Sequence, residues 1–232
     1  MRIFAIGDLH LPGDAGKTMD IFGANWDGHM ERIASDWLSR VGADDVVLLP
    51  GDFSWSQDID GVKADILQIG ELPGKKILIR GNHDYWWNSI TKVRQALPEN
   101  MYALQNDSIQ FENVIICGSR GWTLPDESSK TYAEDLKIYS RELIRMRLSL
   151  EHACKSRTSE RLVVMTHYPP LFRYRNHTEL TKLFCEFGVH DVVYGHLHGE
   201  GIANGFSGIV DNTRYHLASC DALDFRLLEI SP

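Results

Sequence analysis

The sequence has few cysteines and lacks an apolar run of membrane-spanning length. Its 232 residues include only four cysteines, which form no Cys-x-x-Cys pair. We therefore expect reduced thiols rather than a disulfide framework. No apolar run approaches the roughly 20 residues that cross a bilayer. The first residues, MRIFAIGDLH, do not have the pattern of a signal peptide, so we expect a cytoplasmic protein with no membrane partner.

An excess of basic residues is also missing. The 24 lysines and arginines are outnumbered by 32 acidic residues, which gives a formal net charge of −8. Proteins that bind long nucleic acids usually carry a basic excess or a basic stripe, so we do not expect such a partner. Arg141, Arg145 and Arg147 cluster, but acidic residues flank them, which is typical of a solvated helix face. The sequence does not indicate an oligomeric state.

What the sequence contains is a recurring pattern of an apolar run, a short polar motif and a helical stretch. The apolar runs lack strict alternation, which is typical of strands buried on both faces, and the intervening helices indicate βαβ units. Motifs that follow the strands of an open α/β sheet meet beyond the carboxyl ends of those strands. The five runs are residues 2–7, 46–49, 76–79, 162–165 and 191–194.

Periodicity predicts the remaining elements of one domain that covers residues 1–232. Helices are expected near residues 30–41, 59–69 and 89–97, with a long helix at 133–155. The apolar repeat of the long helix is short, which favours packing on the core over a dimer seam. Additional strands are expected at 111–117, 215–218 and 225–230.

Residue types that bind metals follow each of the five runs. Asp8 and His10 are two residues apart, and in an extended segment such side chains point to the same side, where they can share an ion. One carboxylate, such as that of Asp52, can bridge two cations. Each motif is weak evidence alone, and the joint pattern is what indicates a metal site. The candidate ligands are Asp8, His10, Asp52, Asn82, His167, His196 and His198.

This set of carboxylate, amide and imidazole donors indicates both the metals and the chemistry. It favours Mn, Fe or Zn over Ca or Mg, and the absence of thiolates argues against a structural zinc site. Two cations about 3.5–4 Å apart can clamp a phosphoryl group and activate a water or hydroxide between them. His83 is then a candidate general acid for the leaving oxygen, held by Asp84. Asp84 fits equally well as the N-cap of the next helix.

The motifs Asp-x-His, Gly-Asp, Gly-Asn-His-Asp, His and Gly-His-x-His occur in this order between Asp8 and His198. In this respect the chain resembles the calcineurin-like metallophosphoesterase family. The resemblance implies an α/β fold with two packed mixed β-sheets flanked by helices, a four-layer sandwich, and His83 as general acid. It implies one ion held by Asp8, His10 and His198 and a second held by Asn82, His167 and His196, with Asp52 as the bridge.

Two departures separate the chain from the protein Ser/Thr phosphatases of that family. Those enzymes have a Val-Asp-Arg-Gly run after Gly-Asp and a Glu after Gly-Asn-His, whereas this chain has Phe53-Ser54-Trp55 and Asp84. It is more similar to small bacterial-type phosphohydrolases, so we expect a small phosphodiester or nucleotide-like substrate. The alternatives are a nuclease acting on short nucleic acid and a non-catalytic metal-binding scaffold. The excess of acidic residues disfavours a nuclease, and the intact set of candidate ligands disfavours a non-catalytic scaffold.

Three residues near the motifs are candidates for substrate contacts. Arg120 follows a predicted strand and is placed to reach a phosphate, and Arg173 lies on a rim loop after His167. Tyr168 belongs to a group of aromatic residues at the motif edges that would suit stacking against a flat group. Core packing of the aromatics and surface solvation of the arginines are the competing interpretations. The glycine-rich segment 11–27 is either a lid or a surface excursion.

Overall fold

Strands and helices alternate along the computed structural model, which describes residues 1–155 and 157–230. The strands are β1 (Ile3–Ala5), β2 (Val46–Leu49), β3 (Lys75–Leu78), β4 (Met101–Ala103), β5 (Ser108–Phe111), β6 (Val114–Gly118), β7 (Arg161–Thr166), β8 (Asp191–Tyr194), β9 (Gly208–Val210), β10 (Thr213–Leu217) and β11 (Leu228–Glu229). The helices are α1 (His29–Arg40), α2 (Lys63–Gly70), α3 (Ile90–Ala96), α4 (Tyr132–Cys154) and α5 (Glu179–Glu186).

The strands form two mixed sheets. In the first, the order is β11-β1-β2-β3-β4, with β1 to β4 parallel and β11 antiparallel to β1. In the second, the order is β5-β6-β7-β8-β10-β9, with parallel strands in the centre and antiparallel strands at both edges. The parallel strands of each sheet therefore end at one edge, where the polar motifs follow them.

Side chains on alternate positions of each strand separate three hydrophobic clusters. In β1, Ile3 and Ala5 belong to a cluster that lies between the two sheets and includes Ile116 and Val163 of the second sheet. Phe4 belongs instead to the cluster formed with α1, α2 and α3. A third cluster joins the outer face of the second sheet to α4 and α5. The predicted four-layer arrangement of helices, two mixed sheets and helices is therefore confirmed.

The predicted strand at 225–230 is much shorter than expected. Strand pairing is confined to β11, because Asp224 and Phe225 have φ values of 51° and 58° and form a turn. The sequence prediction also missed β4, which has three residues, and the eight-residue helix α5. Segments of this length contain too few apolar positions to establish a period.

Two buried charged side chains stabilise connections far from the sheet edge that carries the motifs. Lys76 lies under the turn between α2 and β3 and donates hydrogen bonds to the carbonyls of Gly70, Leu72 and Gly74. Asp191, at the start of β8, accepts hydrogen bonds from its neighbours on adjacent strands, and its side chain is 0% exposed. These neighbours are Arg161, Arg214 and His216. No helix in the described part of the chain is long and apolar enough to cross a membrane.

Candidate metal centre

All seven predicted ligands lie at the carboxyl edge of the two sheets. Those that follow β1, β2 and β3 come from the first sheet, and those that follow β7 and β8 come from the second. The two sheets therefore face each other across the site. The hydrophobic cluster between the two sheets lies directly beneath it. In the order of these strands, the ligands are Asp8 and His10, Asp52, Asn82, His167, and His196 with His198.

Four of these residues have a left-handed backbone, which non-glycine residues rarely adopt. The φ angles are 58° for Asp8, 47° for His10, 50° for Asp52 and 74° for His196. The extended geometry that the sequence analysis assigned to Asp8 and His10 is therefore wrong. Their side chains converge from a strained segment whose N–H groups bond to the loop after β2, and backbone strain of this kind concentrates at functional sites.

The first group of donors consists of Asp8, His10 and His198. The Nε2 atoms of His10 and His198 are 3.4 Å apart, and His198 Nε2 is also 3.4 Å from Asp8 Oδ1. One ligand atom from each of the three residues lies within 4.8 Å of the other two. A single cation placed among these atoms would contact all three side chains.

The second group surrounds His167, which is completely buried. Its Nε2 atom is 2.7 Å from Asn82 Oδ1 and 3.2 Å from His196 Nδ1. Its Nδ1 atom is 3.0 Å from the carbonyl of Pro50, which directs Nε2 toward the other donors. One donor atom each from Asp8, Asp52 and His167 lies within 4.8 Å of the other two, so the two groups of donors adjoin one another.

Asp52 lies between the two groups. Its Oδ2 atom is 3.8 Å from His10 Nε2 in the first group and 3.5 Å from His167 Nε2 in the second. Its Oδ1 atom accepts the backbone N–H of His83 at 2.8 Å, which fixes the carboxylate plane. One carboxylate thus faces donors on both sides.

Two glycines allow the carboxylates to approach the neighbouring strands. A Cβ atom on Gly195 would lie 2.3 Å from Asp8 Oδ2, and one on Gly81 would lie 2.1 Å from Asp52 Oδ1. Both distances are far below van der Waals contact. The glycines of the Gly-Asn-His-Asp and Gly-His-x-His motifs are therefore required by close approach to the metal-binding carboxylates.

Asp221 is a functional residue that the sequence analysis missed. Its Oδ1 atom is 2.8 Å from His198 Nδ1, and this contact orients the ring so that Nε2 faces the other donors. Asp221 follows β10, a predicted strand of the sheet that also contains β7 and β8. This position is the sequence signal that could have identified it. Burial lowers the pKa of His198, but hydrogen bonds to Asp221 and Asp8 outweigh burial and raise it to about 10.

The electrostatics of the cluster suit a cation. Burial raises the pKa of Asp52 to about 7, with the charges of Asp84 and Asp8 acting in the same direction against that of His167. Burial and the charge of His167 lower the pKa of His196 to about 3, which favours the neutral imidazole that metals bind. Carboxylates and imidazoles whose donor atoms converge form a set that divalent cations fit.

Asp84 does not hold His83 as the sequence analysis predicted, and it is not a helix N-cap. Its fully buried carboxylate accepts the backbone N–H groups of Phe53 at 2.8 Å, Ser54 at 3.2 Å and Gly81 at 2.7 Å. A fourth hydrogen bond comes from Trp86 Nε1 at 3.0 Å. Asp84 therefore ties the loops after β2 and β3 together and positions the metal-binding residues on them.

His83 lies at the open side of the donor cluster. Its ring centroid is 5.8 Å from that of His10 and 4.5 Å from that of Trp55, and its Nδ1 atom is 3.4 Å from the Tyr85 hydroxyl. Burial and the charge of His167 lower its pKa to about 4. The imidazole is therefore neutral at pH 7 in the free protein, and it carries one N–H.

A cavity of about 360 Å³ opens above the donors. The segment 11–27, with three short 3-10 helices, forms one wall through Met19, Phe22 and Trp26. Lys17 of the same segment lies 3.4 Å from the ring centroid of Trp55. The segment is therefore a wall of the site rather than a detached surface loop, while Trp86 and Trp87 belong to the hydrophobic core.

The three candidate substrate contacts occupy different environments. The Tyr168 ring lies 4.3 Å from that of His196, and Arg120 lies over Trp122 at 4.8 Å. Arg173 instead donates from Nε to the carbonyl of Gly205 at 2.7 Å, and its backbone N–H bonds to Asn204. Its guanidinium therefore holds a loop in place.

Comparison with known proteins identifies the family. The sequence profile described as calcineurin-like phosphoesterase matches residues 1–200. The chain belongs to this family. Its clustered acids and histidines form a candidate metal site. The gene 66 protein of Mycobacterium phage D29 is 36% identical over 88 residues, which cover 36% of this chain and only 40% of that protein.

Solved structures share the fold at low sequence identity. Phosphopantetheinyl hydrolase from Mycobacterium tuberculosis has a TM-score of 0.58 and 14% identity, covering 100% of this chain and 96% of that one. TT1561 of Thermus thermophilus has a TM-score of 0.54 and 10% identity, covering 99% and 98%. The protein of unknown function AQ665 from Aquifex aeolicus has a TM-score of 0.50 and 15% identity, covering 98% and 95%.

Proposed function

We propose that this phosphoesterase uses two divalent ions to hydrolyse a small phosphodiester or nucleotide-like substrate. The observation that carries the proposal is the position of Asp52, whose Oδ2 atom faces His10 on one side and His167 on the other. A carboxylate between two groups of donors is suited to bridge two ions. Each group alone supplies enough nitrogen and oxygen atoms for one ion.

The proposed ligands follow the two groups. Mn, Fe or Zn fits the mixture of carboxylate, amide and imidazole donors. Bound as a pair, the ions would act as Lewis acids. They would neutralise negative charge on the phosphoryl oxygens and lower the pKa of a bound water. Asp8, His10 and His198 would hold one ion, Asn82, His167 and His196 the other, and Asp52 both.

Several residues of the chain would preorganise the site before the substrate binds. The carboxylates of Asp8 and Asp52 are each fixed by backbone N–H groups, so they need no reorganisation when the substrate binds. Trp26 and Trp55 flank the cavity and would exclude water from one side. Tyr168 is buried beside His196 and is not among the residues that line this cavity, so it would support the imidazole rather than contact the substrate.

His83 is proposed to protonate the leaving oxygen. It lines the cavity beside the donors, as a general acid requires. Its pKa of about 4 in the free protein is too low for an efficient acid at pH 7. The negative charge of a bound phosphate would raise that pKa and stabilise the protonated form. Asp84 contributes through the loops it holds and not by contact with His83.

A hydrolysis assay with a matched pair of variants tests this function. The metal-free protein, supplied with Mn²⁺, should hydrolyse bis(p-nitrophenyl) phosphate. Asp52→Asn should abolish turnover, while Asp58→Asn, an exposed position six residues further on, should keep it. A fully metallated wild-type protein that cleaves none of a panel of monoesters, diesters, cyclic nucleotides and dinucleoside polyphosphates would refute the proposal.

A further inference from the structure

We propose that a second pocket on the same rim binds a distal phosphate group of the substrate. The pocket is formed around Arg80, Arg120 and Arg145 and is separate from the cavity above the metal ligands. The inference rests on the proposed function, because it assigns the substrate a second anionic group besides the one that is hydrolysed. We call it the arginine pocket.

The arginine pocket lies where the two sheets meet α4. It encloses about 130 Å³. Arg80 follows β3, Gln105 follows β4, and Ser119 and Arg120 follow β6, so three strand ends contribute to it. Arg145 closes it from α4. Like the metal ligands, most of its residues are thus supplied by the carboxyl edge of the sheets.

The charge in the arginine pocket is unbalanced. Three guanidinium groups line it together with a single carboxylate, that of Glu142. Glu142 is buried and already accepts a hydrogen bond from the backbone N–H of Gly121 at 3.2 Å and one from Arg145. The nearby Asp84 also attracts Arg80, but its oxygens are bonded to N–H groups of its own loops. An anion would balance the remaining positive charge.

Two donors in the arginine pocket lack partners. Within the described part of the chain, neither Arg80 Nε nor Ser119 Oγ has a hydrogen-bond partner, although both atoms are buried. Ser119 is only 5% exposed. Buried donors are normally satisfied, and one left unpaired reduces stability. A phosphate, with several acceptor oxygens, would pair with the planar guanidinium groups and, after a rotation of the Arg80 and Ser119 side chains, with these two donors.

The arginine pocket adjoins the half of the metal centre formed by Asn82, His167 and His196. The carbonyl of Arg120 accepts the backbone N–H groups of His167 and Tyr168, each at 3.0 Å. Arg80 precedes Asn82 by two residues. The backbone of the arginine pocket is therefore continuous with that of the candidate ligands, and we infer that a second phosphate of a substrate held there reaches the pocket.

Phosphate binding to the metal-free protein tests the arginine pocket without any turnover. Calorimetric titration with inorganic phosphate should show one site, and Arg80→Gln and Arg120→Gln should each weaken it by about tenfold or more, the loss expected for a charge-assisted hydrogen bond. Arg80→Lys should weaken it less, because the charge remains. The control Arg147→Gln also removes one positive charge. Arg147 is on α4, the helix that carries Arg145, but it lies outside the pocket, so this variant should have no effect. Absence of phosphate binding by the wild type, or equal losses in the control, would overturn the inference.

A pair of substrates separates a substrate subsite from a site for free phosphate. The metallated enzyme should cleave the p-nitrophenyl ester of thymidine 5′-phosphate with a higher kcat/KM when the sugar also carries a 3′-phosphate. Arg80→Gln should lower that ratio about tenfold, and Arg147→Gln should preserve it. If the wild type cleaves both esters equally well, the arginine pocket is not a substrate subsite, although the proposed function stands. If it cleaves neither ester but hydrolyses bis(p-nitrophenyl) phosphate, the substrate subsite fails and the proposed function stands. If it cleaves none of the panel of phosphoesters, the proposed function fails and the subsite fails with it, while the titration still decides whether the pocket binds phosphate.

Discussion

The backbone N–H of His196 donates to both carboxylate oxygens of Asp8, each at 3.0 Å. This contact joins the first and last of the five motifs, which are 188 residues apart. It holds the Asp8 carboxylate between His198 and His167 and depends on Gly195, the residue that allows the two loops to meet. The metal ligands are thus positioned by the backbone of one another's loops.

Gly195→Ala should disrupt this contact and weaken metal binding. The new methyl group would overlap Asp8 Oδ2, so Asp8 must move, and we expect a loss of Mn²⁺ affinity of roughly tenfold or more. Gly201→Ala is the matched control, because its Cβ would meet no atom closer than 3.9 Å. Calorimetric Mn²⁺ titration of both variants measures the effect. Equal affinities would show that the close approach is not required.

Asp221→Asn should reduce metal affinity without removing a ligand. The carboxylate orients His198 through Nδ1, and loss of such an outer partner typically lowers affinity about 10- to 100-fold. Asp224→Asn changes an exposed residue of the same turn and should leave affinity unchanged. Mn²⁺ binding measured by equilibrium dialysis distinguishes the two, and an unaffected Asp221→Asn variant would exclude the orienting role.

His83→Ala should retain both metals and lose turnover. A positioned general acid contributes about 10²- to 10⁴-fold, and the loss should be largest for substrates with poor leaving groups, which need the proton most. His177→Ala, at a side chain 65% exposed, serves as the control. kcat measured over a series of aryl phosphodiesters gives the leaving-group dependence. A uniform loss across the series would argue for a positioning role, and an unchanged rate would remove His83 from the mechanism.

The Asp191 network should stabilise the fold at neutral pH but not in acid. Burial opposes its charge, yet hydrogen bonds from His216 and Arg161 outweigh burial, and the pKa of Asp191 lies below its ordinary value of 3.8. The ionised Asp191 carboxylate therefore stabilises the folded state at pH values above 3.8. This stabilisation is lost as the pH falls through the pKa of Asp191 in the folded state.

Asp191→Asn should accordingly lower the free energy of unfolding by about 3–5 kcal/mol at pH 7, as expected when one partner of a buried charge cluster is removed. The difference from wild type should shrink below about pH 4. Urea denaturation at pH 7 and in acid measures it, with the exposed Asp44→Asn as control. A difference that stays constant with pH would contradict the pKa assignment.

The convergence of the candidate ligands was predictable because each of them follows a locally recognisable strand. Val46–Leu49 and Asp191–Tyr194 have the predicted bounds, and the motifs after them sit at the expected edge. What the sequence did not indicate depends on contacts between distant segments. The carboxylate of Asp84 bonds to residues about 30 positions earlier, and Asp221 reaches His198, which lies 23 residues before it. Neither pairing has a local pattern. The cytoplasmic location and the single-domain organisation stay predictions.

The most direct test of the account is a Mn²⁺ titration in which bound ions and hydrolysis are measured together. Metal-free protein is titrated while electron paramagnetic resonance reports bound Mn²⁺ and bis(p-nitrophenyl) phosphate reports turnover. We predict two ions per chain, with hydrolysis appearing only as the second site fills. Saturation at a single ion per chain, or full hydrolysis with one ion bound, would contradict a dimetal centre bridged by Asp52.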